Sequence, residues 1–333
     1  MKYIQYAIAK RDTGNASGKA KKDAFDIAFQ MGFEPSYQPS TQRIIRVLQQ
    51  FVSLPKFSGN KVIFFQYPAV SEQLMRLFKR VVSNNSFKIA LVHDLLSIQG
   101  LTPYVKKKES DFLNIFDCLI VHNAYMAQFV KEIGYKGNTV NLNLFDYLHD
   151  PSHSITNLPF SNSISFAGNL AKARFLADIG KISNCNFILY GLKGSMNFSS
   201  ISNATYKGLL PSDEIQYLME GDYSLVWDGD SIQTCAGPNG NYLRYNNPHK
   251  LSLSIAAGKP VITWKQAAIA DFVNENQIGI AVESLEELND IDLSSGYEEK
   301  KQRVLSIKKD IAVGNYLKAA IKQSFDFASE ATK

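Results

Sequence analysis

The stretch ISFAGNLAKARFL, Ile164–Leu176, decides the fold. Ile164 to Ala167 form an apolar run of strand length, Gly168 and Asn169 interrupt it, and the residues from Leu170 onward carry helical spacing with Lys172 and Arg174 among them. A strand running through a tight turn into a helix is one half of a parallel βαβ unit. Glycine lets the backbone approach a ligand closely, and a helix N-terminus offers unpaired N–H groups and a positive dipole end to a phosphate. Two readings are open here. One is a diphosphate site to which Arg174 adds a planar, bidentate fork; the other is a plain strand-to-helix turn with solvated basic residues.

The same alternation extends outward in both directions. After this stretch, strands are predicted at Phe187–Tyr190, Tyr223–Trp227, Pro260–Thr263 and Ile278–Ala281, with helices between them. Before it, strands are predicted at Tyr3–Ala9, Val62–Gln66, Lys88–Val92, Cys118–Val121 and Thr139–Leu144. Helical spacing falls between these at Ala20–Met31, Gln42–Val52, Ser71–Val82, Val105–Ile115 and Ala124–Ile133. The segment FDYLHDPSHSITNLPFS, Phe145–Ser161, is rich in Pro, Ser, Asn and His and has no sustained period, so it reads as an interdomain connection. The expected organisation is α/β, with two Rossmann-like doubly wound parallel-sheet domains facing a cleft. Residues 1–150 form the first, 151–162 the linker, 163–310 the second, and 311–333 a C-terminal helix that returns to the first. The polar amphipathic stretch Glu298–Ala328 exceeds an ordinary helix and is expected to break near Gly314.

Ligands of open parallel sheets bind outside the carboxyl ends of the strands, so the loops that follow strands hold the remaining candidates. In YLRYNNPHKLSLSIAAGKPVI, Tyr242–Ile262, Pro248 is placed to start a helix and Gly258 to end it, which puts His249 and Lys250 in the first turn. A lysine there opposes the helix dipole. A ligand phosphate would remove the conflict; the alternative is an exposed lysine tolerated at small cost. Asp228-Gly229-Asp230 follows a predicted strand and matches a D-x-D pattern. It is read mainly as a turn whose Asp228 faces the cleft, with divalent-metal ligation as the other reading. His93-Asp94 ends the strand Lys88–Val92; Asp94 is the first candidate for a general base and His93 the second, against a cap and a core histidine. His122-Asn123, one unit later, is assigned to structure. The loop KRDTGNASGK, Lys10–Lys19, misses the P-loop pattern because Gly14 and Gly18 are only four apart and Ala20 follows Lys19.

Composition fits this organisation. The 333 residues are 45% hydrophobic and 20% charged, enough for two cores and ordinary for a globular chain. Cys118, Cys185 and Cys235 lie far apart without a C-x-x-C spacing, which suggests neither a disulfide framework nor a zinc knuckle. The N-terminus MKYIQYAIAKRD has no apolar h-region, and a cytoplasmic location is expected; the basic clusters Lys106–Lys108 and Lys300–Lys309 read mainly as solvated faces, with peripheral contact with the inner face of a membrane or an acidic acceptor as the other readings. Those clusters are short and not interleaved with aromatics, so nucleic acid is not an expected partner.

The blocks FAGNLAKARFL, YKGLLPSDEIQYLMEGDYSLVWDGDS and CAGPNGNYLRYNNPHKLSLSIAAGKPVI resemble a GT-B glycosyltransferase family. That family contains the bacterial glucosyltransferase that extends O-linked N-acetylglucosamine on serine-rich repeat adhesins, and related β-1,6-galactofuranosyltransferases. The segments VHDL and GNASGKAKKDA fit it less specifically, so the likeness spans the chain and is sharpest from Ser163 to Thr263. The resemblance implies a UDP-sugar co-substrate, no cofactor and no metal, an inverting mechanism, a protein acceptor bearing N-acetylglucosamine on Ser or Thr, and a homo-oligomer, dimer or tetramer. It implies that Arg174 and Lys250 bind the diphosphate with Asn246 and His249 near it. By the same likeness the loops at Gly191 and at Tyr206–Leu209, Gly208 included, cradle the uridine, and Thr13, Gly14 and Asn15 close over donor or acceptor. The segment Ser97-Ile98-Gln99-Gly100 departs from the family, which has a basic residue there.

Overall fold

The computed structural model describes residues 2–6, 16–40, 42–68, 72–98, 103–152 and 159–330. The first half of the chain runs β1 (Lys2–Gln5), α1 (Ala16–Gln30), β2 (Glu34–Pro35), α2 (Arg43–Ser53), β3 (Lys61–Tyr67), α3 (Glu72–Val81), β4 (Phe87–Val92), α4 (Pro103–Leu113), β5 (Cys118–Val121), α5 (Ala124–Glu132) and β6 (Asn138–Asn141). The second runs β7 (Ser163–Ala167), β8 (Asn186–Tyr190), β9 (Ala204–Gly208), α6 (Ile215–Leu218), β10 (Tyr223–Val226), α7 (Gly237–Tyr242), α8 (His249–Ala256), β11 (Val261–Trp264), α9 (Ile269–Glu275), β12 (Gly279–Val282), α10 (Tyr297–Ala312) and α11 (Asn315–Glu330). The described residues of 1–12, 20–143 and 314–333 form one compact unit, and those of 13–19 and 144–313 another.

Each unit holds one six-stranded sheet, ordered β2-β1-β3-β4-β5-β6 in the first and β12-β11-β10-β7-β8-β9 in the second. All pairings are parallel. Strands covered on both faces read as continuous apolar runs, and β3, KVIFFQY, is buried from Val62 to Tyr67 for that reason. The core of the first unit is aromatic. Phe65 lies 5.1 Å from Phe78 and 5.3 Å from Phe116, within the range that favours tilted ring contacts. Gly314, at φ 83°, separates α10 from α11 where the sequence places the break. The last helix then packs on β4, β5 and β6 through Leu317, Ala320, Ile321 and Ser324.

Two strands of the structure are absent from the sequence reading. β2 is two residues at a sheet edge, too short to show a period; β9, ATYKG, is a polar edge strand whose hydrogen bonds rather than apolar burial define it. The α-helix expected directly after Gly168 is instead two 3-10 segments, Leu170–Lys172 and Arg174–Lys181. Ala173, at φ −87° and ψ 71°, breaks the run, and i→i+3 bonds such as Lys172 N–H to Asn169 O replace the α-helical ladder. The residues Phe145–Asp150 are not a bare connection: Phe145 and Tyr147 are buried, and Ser252 Oγ donates to Phe145 O at 2.7 Å. Among the described residues no helix is long and apolar enough to cross a membrane.

Candidate functional site

The strand order of the second unit sets β7 beside β10, with later strands added outward on each side. At such a switch point the connections leave in opposite directions, and a crevice opens at the carboxyl ends of the two strands. Gly168-Asn169 follows β7 and Trp227-Asp228 follows β10. Beside them, Gly191 follows β8 and Gly208 closes β9.

Backbone hydrogen bonds lace these strand ends into a shelf. Gly168 N–H donates to Tyr190 O at 3.0 Å, and Gly191 N–H to Gly208 O at 2.8 Å. The Tyr206 hydroxyl donates to Gly191 O at 2.9 Å. Gly191 sits at φ +132°, and a Cβ there would stand 1.8 Å from Gly168 O, so no other residue fits without parting the strands. The approach that glycine permits is thus used first between backbones.

Above the shelf stands the start of α8. Pro248 precedes it and Gly258, at φ 69°, ends it, with Lys259 N–H bonded to Ser254 O at 2.9 Å in a Schellman-type closure. Lys250 Nζ meets Asp228 Oδ1 at 2.6 Å and lies 5.2 Å from the Phe166 ring centre. The two side chains are only 19% and 29% exposed. The conflict between a cationic first turn and the helix dipole is therefore met by Asp228, the residue that the switch point delivers from β10. His249 is half-buried, yet both its ring nitrogens lie out of solvent contact, and neither makes a full hydrogen bond. Burial pushes its pKa down to about 3, so the ring is neutral. It stacks on Tyr147 at 5.1 Å, whose hydroxyl donates to Ser212 O at 2.6 Å.

Together these groups enclose a cavity of about 300 Å³. Its floor is Gly168, Gly191, Ala167 and Leu253; Tyr147, Tyr190, Leu192 and Leu210 make it largely apolar. Asn169, Ser212, His249 and Lys250 supply the polar atoms, and Lys250 is the one charged residue among the described lining. An apolar slot with a single cation at one side, beside a helix N-terminus and exposed backbone, suits a planar ring joined to a phosphate.

Other candidates lie elsewhere. Arg174 is 78% exposed, does not line the cavity, and its Nε is 3.9 Å from Asp230 Oδ1. It opens the second 3-10 segment, which turns Phe175, Leu176 and Ile179 inward and leaves Arg174 on the exposed side. Asp228 and Asp230 each face a different cation, Lys250 and Arg174. Among the described residues no cluster of three or more His, Cys, Asp or Glu is placed to hold a metal ion. Asn246 is half-buried with its Oδ1 shielded and unpaired, and it is not among the lining residues. Tyr206 and Gly208 support the cavity through Gly191 rather than line it. Tyr147 and Ser212 are lining residues not among the sequence candidates: Tyr147 lies in an aperiodic segment, and Ser212 lies within the block beginning at Tyr206 but follows the loop residues singled out there.

In the first unit, His93 and Asp94 follow β4 as expected. His93 is buried and its Nε2 is 2.7 Å from Gln66 Oε1, a structural bond; Asp94 is half-buried. The turn beyond them is pinned by the buried Glu109 carboxylate, which accepts from Leu96 N–H, Ser97 N–H and the Tyr67 hydroxyl at 2.8, 3.0 and 2.8 Å. His122 is buried and its Nε2 donates to Val92 O at 2.9 Å. Thr13, Gly14 and Asn15 lie outside the described residues.

Comparison with known proteins gives the family and the fold. Residues 1–144 match the family described as Glucosyltransferase 3-like, N-terminal domain, and residues 164–324 its C-terminal domain. The β-1,6-galactofuranosyltransferase WbbI of Escherichia coli (strain K12) is 31% identical over 337 residues, covering 96% of each chain. Glucosyltransferase 3 of Streptococcus gordonii is 24% identical over 225 residues, 66% of this chain and 64% of its own. Among solved structures, HepE of Anabaena in complex with UDP superposes with a TM-score of 0.62 at 10% identity over 99% of this chain and 100% of its own. Sucrose-phosphate synthase of Thermosynechococcus elongatus does so at 0.59 and 13%, over 87% and 81%. At such identities the structural likeness shows the fold, and the fold is GT-B.

Proposed function

Because this chain belongs to the Glucosyltransferase 3-like family and is a glycosyltransferase of GT-B fold, we propose that it transfers a hexosyl group from a UDP-sugar held at the β7/β10 switch point. The observation that carries the reading is the cavity of about 300 Å³ whose one charged residue among the described lining, Lys250, rises from the first turn of α8. Uracil and ribose occupy the apolar slot between Tyr147 and Leu192, and the diphosphate lies toward Lys250. In the reaction the bond from the anomeric carbon to the β-phosphate oxygen breaks as the acceptor oxygen forms its bond. The electron pair leaves on UDP. Lys250 and the positive dipole end of α8 are fixed groups for that charge. The donor phosphate displaces Asp228 from Lys250, which frees the carboxylate for the sugar hydroxyls. Asp94 is the base that takes the acceptor proton, His93 being held by Gln66. The proposed course uses no metal, the leaving charge being met by these groups, and transfer is with inversion. Arg174 assists the diphosphate from outside the cavity.

The leading acceptor reading is glucose from UDP-glucose onto protein-linked N-acetylglucosamine of a serine-rich adhesin. A second reading, galactofuranosyl or other hexosyl transfer to a lipid-linked glycan, is favoured by the 31% identity to WbbI across 96% of the chain. Both are reactions of the cytoplasm or of the inner membrane face. The test is turnover of UDP-glucose, UDP-galactose and UDP-galactofuranose on peptide-linked and lipid-linked N-acetylglucosamine, with EDTA, for wild type and Lys250→Ala. EDTA-resistant transfer from one donor, reduced about a hundredfold in the variant, is expected; no binding or turnover of any UDP-sugar would sink the reading, and a requirement for Mn²⁺ would return Asp228 and Asp230 as metal ligands.

A further inference from the structure

The helix α2, RIIRVLQQFVS, is packed the wrong way round for a soluble protein. On a helical wheel Ile44, Ile45, Val47, Leu48, Phe51 and Val52 share one continuous arc, and every one is exposed, from 41% for Phe51 to 77% for Ile44 and Val52. The polar side faces the protein. Ser53 is buried, Gln49 Oε1 accepts from Ser40 N–H at 2.9 Å, and Arg46 Nη1 donates to Ser40 O at 3.2 Å. A surface helix ordinarily buries its apolar face, and a contiguous exposed apolar patch marks a docking surface.

Charge identifies what docks. From Pro35 to Ser71 the chain contains no Asp or Glu, while Arg43, Arg46, Lys56 and Lys61 fall within it. Lys56 is exposed, Lys61 is half-buried, and the Lys61 ammonium reaches Lys56 O, so both stand together just beyond the end of α2. A second copy of this chain, related by a two-fold axis on this face, would bring Lys56 and Lys61 towards their equivalents, and the stretch from Pro35 to Ser71 offers no acid to pair with them. An anionic lipid surface supplies both complements, acyl chains for the arc and headgroup phosphates for the basic rim.

We propose that α2 is an interfacial helix that docks the protein on anionic membrane. This goes beyond the donor-site reading and does not depend on which sugar is transferred. The experiment is co-sedimentation of the full chain with phosphatidylcholine vesicles and with vesicles containing 30% phosphatidylglycerol, for wild type, for Ile44→Ser/Leu48→Ser/Val52→Ser and for Lys56→Glu/Lys61→Glu. All replaced residues lie outside the donor cavity, so UDP binding serves as the check that each variant is folded. Wild type should bind the anionic vesicles at least tenfold better than the neutral ones, 1 M salt should weaken that binding, and both variants should lose it about tenfold with UDP affinity unchanged. Equal binding to both vesicle types, no binding to either, or serine variants that still bind would overturn the proposal. So would a wild-type oligomer, seen by light scattering, that the serine variant splits into monomers.

Discussion

Gly191→Ala separates steric from torsional demands at the shelf. The added Cβ would stand 1.8 Å from Gly168 O, and real Cβ contacts essentially never fall below 3.0 Å, so the ends of β7 and β8 must part by about 1.2 Å. Holding alanine at φ +132° adds strain of about 1–3 kcal/mol. A stretched or lost Gly168 or Gly191 hydrogen bond removes about 1 kcal/mol more. The expected destabilisation is about 3 kcal/mol, or roughly 6–12 °C in the melting of a unit of this size. A displacement of that size also misplaces the phosphate by enough to lower turnover roughly a hundredfold. Gly208→Ala is the control: at φ +91° it has nothing within 4 Å of its Cβ, so it should cost about 1–2 kcal/mol and leave UDP binding intact. Gly168→Ala is the converse, since its Cβ would press at 3.1 Å on Lys250 Cε, the movable part of a side chain. It should barely alter melting and still depress transfer. Differential scanning fluorimetry with titration of UDP reads all three. If Gly191→Ala melted within about 2 °C of wild type and bound UDP as tightly, the laced shelf would not be what shapes the site.

Four further outcomes are expected. Asp228→Asn should tighten UDP binding about threefold to tenfold, because the carboxylate no longer competes for Lys250; weaker binding would contradict the displacement step, and titration calorimetry decides. Arg174→Ala should lower turnover less than tenfold against about a hundredfold for Lys250→Ala, consistent with its 78% exposure. Burial lowers the His122 pKa to about 4, below the unfolded value near 6.5. The unfolded chain therefore binds the extra proton first: the stabilisation is fully present above about pH 6.5 and is lost as pH falls towards 4, reaching about 2 kcal/mol at pH 5. A His122→Asn variant should show a flatter urea-denaturation profile over that window, and an unchanged profile would refute the assignment. Glu109→Gln should cost about 1–3 kcal/mol, since an amide N–H₂ then meets donors at Leu96, Ser97 or Tyr67.

Much of the fold was legible because parallel strands buried on both faces announce themselves as apolar runs: β5 is found at Cys118–Val121 as read, and β7 and β8 within a residue. Position at an edge is not what hides a strand, since the edge strands β6 and β12 are both expected from the sequence; β2 is two residues long and β9 is polar with no buried residue, so neither shows an apolar run. That Lys250, His249 and Gly168 line one cavity was legible to the extent that proline and glycine punctuate α8 and that Gly168 interrupts an apolar run. Tyr147 reaches the cavity through tertiary packing of an aperiodic segment, and Ser212 from the connection after β9; no local pattern marks either as lining. Arg174 shows the opposite case. Its helical spacing was real, but i→i+3 bonding took the path, with Phe175, Leu176 and Ile179 turned inward and Arg174 on the exposed side.

The last helix has a consequence in time. α11 covers β4, β5 and β6, yet about 170 residues separate it from Asn143, the end of the first stretch of that unit. At roughly 5–20 residues per second, β4–β6 wait roughly 10–30 s during synthesis with the face meant for Leu317 and Ile321 uncovered. The unbroken stretch 144–313 can close its own sheet in that interval. The usual N-terminal-first order is thereby inverted, and a nascent chain halted before residue 314 should present protease-sensitive strands in its first 143 residues while the later sheet is already protected.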